Sequence, residues 1–102
     1  MTDAPERIWK DATKYRKGRR GKDPATAWET EVHGSRVWIS CGHRYHPEIW
    51  VMNCRAINVI ERRIGPNTMS VEEARARALK EVATVALAMS RQLAILAKEA
   101  NH

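Results

Sequence analysis

From Ser70 to Ala100 no glycine or proline interrupts the chain, and apolar residues recur at helical spacing. The run opens with Ser70-Val71-Glu72-Glu73, a capping box in which the serine hydroxyl and the Glu73 carboxylate satisfy orphan amides of the first turn. Glu72 and Glu73 also suit the positive end of the helix dipole. The spacing therefore predicts one helix over 70–100, about 45 Å long at 1.5 Å per residue. Its main stripe is Val71, Ala74, Ala78, Val82, Val85, Met89, Leu93 and Leu96.

A helix of that length needs a surface to lie on, and the rest of the chain can build only a small one. With 102 residues there is room for a single core, which excludes two-domain enzymes and large α/β cofactor folds. A meander of three or four strands is about 20 Å wide, with strands about 20 Å long. The helix must overhang such a sheet, yet its far half (Leu87, Met89, Leu93, Ala94, Ile95, Leu96, Ala97) is still apolar. A second copy of the chain is the economical cover, since Ala83, Ala86, Ala94 and Ala97 permit close helix approach and two-fold dimers are common. Met89, Leu93 and Leu96 are the expected interface of that homodimer. The alternative is a helix that breaks and folds back on its own domain.

The strands are legible from alternation. Trp28, Thr30 and Val32 alternate with Glu29, Glu31 and His33, and Gly34-Ser35 reads as a two-residue turn. Pairing outward from it sets Val32 opposite Val37, Thr30 opposite Ile39 and Trp28 opposite Cys41, all on one face. The other face pairs Glu31 with Trp38, Glu29 with Ser40 and His33 with Arg36. After a loop at 42–47, a third strand, Glu48 to Cys54, is apolar on both faces. A fourth, about Ala56 to Ile64, either follows separately or continues the third as one bent strand. Gly65-Pro66-Asn67 ends the sheet. The expected fold is α+β: an antiparallel meander on one long C-terminal helix, with strands in 27–64.

The net charge of +6 has one location. Between Lys10 and Lys22 lie seven of the 18 basic residues and one of the 12 acidic ones, leaving eleven of each elsewhere. Residues 1–26 read as a basic flexible arm with room for a short helix after Pro5, its anchor Trp9. Lys14, Arg16, Lys17, Arg19, Arg20 and Lys22 are the expected nucleic-acid contacts. Clustered Lys and Arg neutralise phosphates and release counterions without reading sequence. Tyr15 and Trp9 are placed to stack on bases. An acidic protein surface is the competing partner, and a merely solvated tail is the third possibility.

Trp38 and Trp50 are expected to share the sheet face away from the hairpin core, beside Arg36. That face, with Tyr45 in the loop, is a candidate protein interface for an inhibitor or adaptor, because Glu29 and Glu31 there oppose phosphate. Cys41, His43, His46 and Cys54 are the right ligand types for zinc, but their spacing fits no knuckle, and core cysteines with loop histidines explain them. A cysteine nucleophile with His43 or His46 and Glu48, or a nuclease set from His46, Asn53 and Asn58, has no motif order behind it. The chain reads as a binding module rather than an enzyme, with no cofactor or metal. Two cysteines, no apolar leader and no span of about 20 apolar residues point to a cytoplasmic protein that engages no membrane.

The order of elements, with a long helix after a meander, resembles the double-stranded-RNA-binding domain. That family grips phosphate with lysines at the start of its last helix, where this chain has Glu72 and Glu73, so the grip is not carried over. The strand Trp28-Glu-Thr-Glu-Val32 leading into a meander is similar to the arm-binding domains of phage integrases, which read DNA with the sheet face. The whole resembles small phage or mobile-element accessory proteins in shape, and shape carries no function.

Overall fold

A computed structural model of the chain describes residues 8–32, 34–43 and 46–101, with backbone only at 43 and 46. It is an α+β fold in two layers. Five antiparallel strands, β1 (Lys10–Asp11), β2 (Ala27–Val32), β3 (Ser35–His43), β4 (His46–Cys54) and β5 (Val59–Pro66), lie side by side in chain order. One helix, α1 (Val71–Ala100), crosses one face. The sheet has five strands where three or four are expected: the 3₁₀ turn after Cys54 makes the fourth separate, and Lys10–Asp11 adds a fifth to the edge of β2, pairing Lys10 with Glu29 and Asp11 with Trp28.

The hairpin alternation places its residues on the expected faces, but the pairing is two residues away. Val32 faces Ser35, Thr30 faces Val37 and Trp28 faces Ile39, so the paired strands close on Val32 and Ser35 and the chain turns at Gly34. An even shift preserves which side chains share a face, so the buried set is unchanged. Gly34 supplies the φ of 82° that this turn requires. On the other face, Glu31 sits opposite Arg36 and Glu29 opposite Trp38. Strands β3 and β4 run to His43 and from His46, shortening the 42–47 loop to a two-residue connection, with a register shift between Cys41 and His43.

Strands β4 and β5 are separate. A 3₁₀ turn, Arg55–Ile57, joins them, and Asn58 closes it in the left-handed region, its N–H donating to the Arg55 carbonyl. Asparagine tolerates that conformation better than most side chains.

The helix packs on the face bearing Val37, Ile39, Trp50, Met52, Cys54 and Val59, with Trp28, Val32 and Cys41 half-buried at its margin. Its contribution is small side chains: Ala74, Ala78 and Val82 are its buried residues. Ser70 caps it, the Oγ accepting from the Glu73 N–H at 3.2 Å. Below the first turn Trp50 is 3% exposed and donates its indole N–H to the Met69 carbonyl at 2.9 Å. Gly65, opposite Trp50, leaves room for this: a Cβ there would meet Met69 Sδ at 2.8 Å. Arg75 lies over Trp9 and Trp28, 5.6 and 5.9 Å from the ring centroids, a contact between the helix and the N-terminal segment. Arg62 and Glu81 form an ion pair between β5 and α1.

Beyond Val85 the helix leaves the sheet. Leu87, Leu93, Ile95 and Leu96 are 54%, 62%, 59% and 53% exposed. The overhang gives principal extents of 60 × 39 × 25 Å and a radius of gyration of 16.4 Å. A compact chain of this size has a radius of gyration of about 13 Å.

Candidate nucleic-acid interface

The basic stretch is not a free arm. Its first part is β1, and the Ala12 N–H donates to the Ala27 carbonyl at 2.9 Å. Thr13 Oγ1 accepts from the Thr26 and Ala27 N–H groups at 2.9 and 3.1 Å, tying the start of the segment to its end. The Cys41 N–H reaches the Thr26 carbonyl, so the far end is held by the sheet as well. Residues 12–26 are thus a loop fastened at both ends. A two-residue strand has no periodicity to read, which is why pattern alone suggests a detached segment. The expected short helix after Pro5 lies partly outside the described residues; from Ile8 onward the chain is extended or looped.

Within the loop, local contacts fix the backbone and turn the cations outward. Asp11 accepts from the Thr13 N–H and the Tyr15 hydroxyl. Thr13 and Tyr15 together hold its carboxyl down to a pKa of about 2. The same hydrogen bond raises the Tyr15 phenol. Arg20 stacks over the Tyr15 ring at 4.9 Å, and Arg19 reaches the Asp23 carboxylate at 2.7 Å. Turns are closed by the Arg19 N–H on the Arg16 carbonyl and the Lys22 N–H on the Arg19 carbonyl. Lys14, Arg16, Lys17, Arg19, Arg20 and Lys22 are all exposed.

Beside this loop, on the sheet face away from α1, lies a groove of about 460 Å³ lined by Ala12, Lys14, Arg36, Trp38, Asn53, Arg55, Ala56 and Glu61. Strand alternation builds it: Trp38 sits opposite Asn53, two positions from the buried pair Ser40 and Val51 on the same face. Asn53 Oδ1 accepts the Glu61 N–H at 2.8 Å, at a point where Glu61 takes a φ of 46° and the β4–β5 register shifts. Arg55 enters from the 3₁₀ turn and Lys14 from the basic loop. Arg36 pairs with Glu29, so one of the two acids expected to oppose phosphate on this face is partly neutralised. With Arg36 paired to Glu29, the other charges of the lining are Lys14 and Arg55 against Glu61.

Contrary to expectation, Trp50 does not share the face of Trp38. Its pairing with Cys41 puts it on the helix side, opposite to Trp38, where it is core rather than interface. Strand β4 is apolar on both faces, so only the β3–β4 register could decide this. Trp9 is half-buried against the core, and Tyr15 has Arg20 over its ring, so neither is an open stacking surface. Tyr45 lies outside the described residues. Met89 is half-buried, and Leu93 and Leu96 are exposed on the overhang.

Sequence reasoning set Arg36 beside Trp38 but missed Arg55 and Glu61 as neighbours. The left-handed Asn58 that folds them in was the only local signal. Asn53 and Asn58 both serve the backbone, one holding Glu61 and the other closing the 3₁₀ turn. Cys54 is buried in the core, and burial pushes the Cys41 thiol up, which makes it a weak nucleophile. Among the described residues no three His, Cys, Asp or Glu side chains converge to hold a metal ion, and none of the helices is long and apolar enough to cross a membrane.

Compared with known proteins, the chain matches no protein family, and no curated protein or solved structure is significantly similar to it.

Proposed function

We propose that this protein is a small non-enzymatic binding module that holds nucleic acid without sequence preference through its basic loop, and that it acts as a homodimer. The observation that carries the reading is the display of Lys14, Arg16, Lys17, Arg19, Arg20 and Lys22 on a loop whose two ends are hydrogen-bonded to the sheet. A fastened loop presents its cations together, at less ordering cost than a free tail. Such a cluster gains affinity chiefly from counterion release, so binding is strong at low salt and indifferent to sequence. Dimerisation is supported by the large apolar side chains exposed on the helix overhang, a surface a soluble monomer rarely leaves bare.

The test is a salt titration. Affinity for a duplex of arbitrary sequence should fall with a log–log slope of about −4 to −6, as expected for five to seven phosphate contacts. Replacing Arg19, Arg20 and Lys22 together by Ala should make the slope shallower by about 2 to 3. Substitution is the right perturbation here, since deleting the segment would also remove β1. Binding that ignores both salt and these substitutions would leave the adaptor reading, with an acidic protein as partner, in its place.

A further inference from the structure

We infer that the undocked half of α1 is covered by the same half of a second copy lying antiparallel to it, about a two-fold axis at Leu93. The inference rests on the homodimer reading above and adds how the two copies meet.

The stripe of α1 is continuous across the sheet's end. Val71, Ala74, Ala78, Val82 and Val85 are buried or half-buried on the sheet. Met89, Leu93 and Leu96 carry the same line past it, and there Leu93 and Leu96 are 62% and 53% exposed. Arg91, Gln92, Lys98 and Glu99 lie off the line, so covering it buries no charge. Leu87 and Ile95 also lie off it and stay on the surface of the pair, where single apolar side chains are ordinary.

The lengths match. Of the 30 residues of α1, those at 86–100 run about 22 Å beyond the sheet, as far as 71–85 run along it. The same half of another copy therefore covers the overhang end to end. Sliding the copies closer would drive each helix end into the partner's sheet, and sliding them apart would bare the stripe again, so the midpoint, Leu93, falls on the axis. Leu93 then meets the partner's Leu93, Met89 the partner's Ala97 and Ala86 the partner's Ala100, with large side chains off-setting small ones.

The position of the sheet decides the direction. It lies on the side of the helix that the stripe faces, and packed layers stand about 10 Å apart. Two helices touching by their stripes in parallel would need both sheets inside that gap. In the antiparallel arrangement each sheet lies in line with the partner's helix, beyond its C-terminal end, and nothing overlaps. The contact is isologous, so the assembly closes at two copies, with the two sheets and their basic loops at opposite ends.

The experiment is disulfide mapping on the full chain. Ala86 and Ala100 are both exposed, so exchanging them for cysteine leaves folding intact, which circular dichroism checks. Along one helix the two positions are about 21 Å apart, too far for a disulfide within a chain. After oxidation, the double variant Ala86→Cys, Ala100→Cys should run at twice the chain mass on a non-reducing gel, and peptide mapping should find position 86 joined to position 100. Either single variant should cross-link no more than the wild type, whose own thiols are half-buried at Cys41 and buried at Cys54. Adding Leu93→Asp to the double variant should abolish the cross-link.

The proposal is overturned if the single variants join 86 to 86 or 100 to 100, or if the double variant stays uncross-linked while light scattering of the wild type gives twice the chain mass; the homodimer reading survives either result. A particle of four chains overturns the closed pair. A wild type that scatters as a single chain overturns both this proposal and the homodimer reading, and leaves the nucleic-acid reading to its salt titration.

Discussion

The two halves of α1 are made of the same kinds of residue and meet opposite fates. Over 71–85 the buried residues are two alanines and a valine, and the helix backbone lies close on the sheet. Over 86–100 no residue is buried, and Leu87, Leu93, Ile95 and Leu96 stand in solvent. Hydrophobicity therefore does not report burial along this helix; the length of the surface beneath it does. The stripe itself does not turn away. Val71, Val82 and Leu93 repeat every 11 residues, as do Ala74, Val85 and Leu96. A repeat of about 3.67 residues per turn is close to that of a straight helix, so the docked and undocked parts of the stripe stay in line. A covering partner would approach from the side of the helix that the sheet occupies, filling the space beyond the sheet's end.

The largest effect is expected where the helix is covered. Ala78→Asp sets an unpaired charge between helix and sheet and should cost about 3 kcal/mol or more in a urea melt, a large share of the stability of a small domain. Leu93→Asp should change the stability of the folded chain by no more than about 0.5 kcal/mol, measured at concentrations where it is monomeric. In light scattering it should convert a particle of about twice the chain mass into one of 11.7 kDa. A melt as damaged by Leu93→Asp as by Ala78→Asp would break the comparison, because the far half would then be packed on its own domain; an unchanged mass would remove helix pairing.

The smallest effect concerns the region that holds the basic loop. The Asp11 carboxylate has its pKa lowered to about 2 by Thr13 and Tyr15, against an unfolded value near 3.8. Its contribution is present above that unfolded value and is lost as the pH falls from about 4 through 2. The site is exposed, so the change should be local: faster amide exchange at Thr13 and a freed Tyr15 ring by NMR in acid, while the Trp50 indole signal and the helix stay as they are.

How far pattern carries is shown by particular residues. The helix bounds and its Ser70 cap are written in a few neighbouring residues, and so are the two faces of the hairpin, because period-2 alternation survives an even slip in register. Trp50 could not be placed, since both faces of β4 are apolar and the choice depends on its pairing with Cys41 across a bulge. Strand β1 is invisible for another reason: Lys10–Asp11 is held by main-chain hydrogen bonds and by Thr13, which leave no trace in hydropathy. Of the candidate site, the cations and Trp38 were legible one by one. Their convergence was not, because it depends on Asn58 folding Arg55 and Glu61 back toward β3.

The order of the sheet has a kinetic consequence. Each strand pairs with its neighbour in the chain, so no crossover must be closed before the sheet can grow. Low sequence separation of this kind favours fast folding, with hairpins forming in about 1–10 μs and the sheet zipping outward from them. The β3–β4 hairpin, two nine-residue strands with a short connection, is the natural place to start. Strand β1, with two paired residues and the longest connection, is expected to join late and to open first. Transient release of β1 would leave the remaining four strands and the helix intact while changing how the cations of the loop are presented.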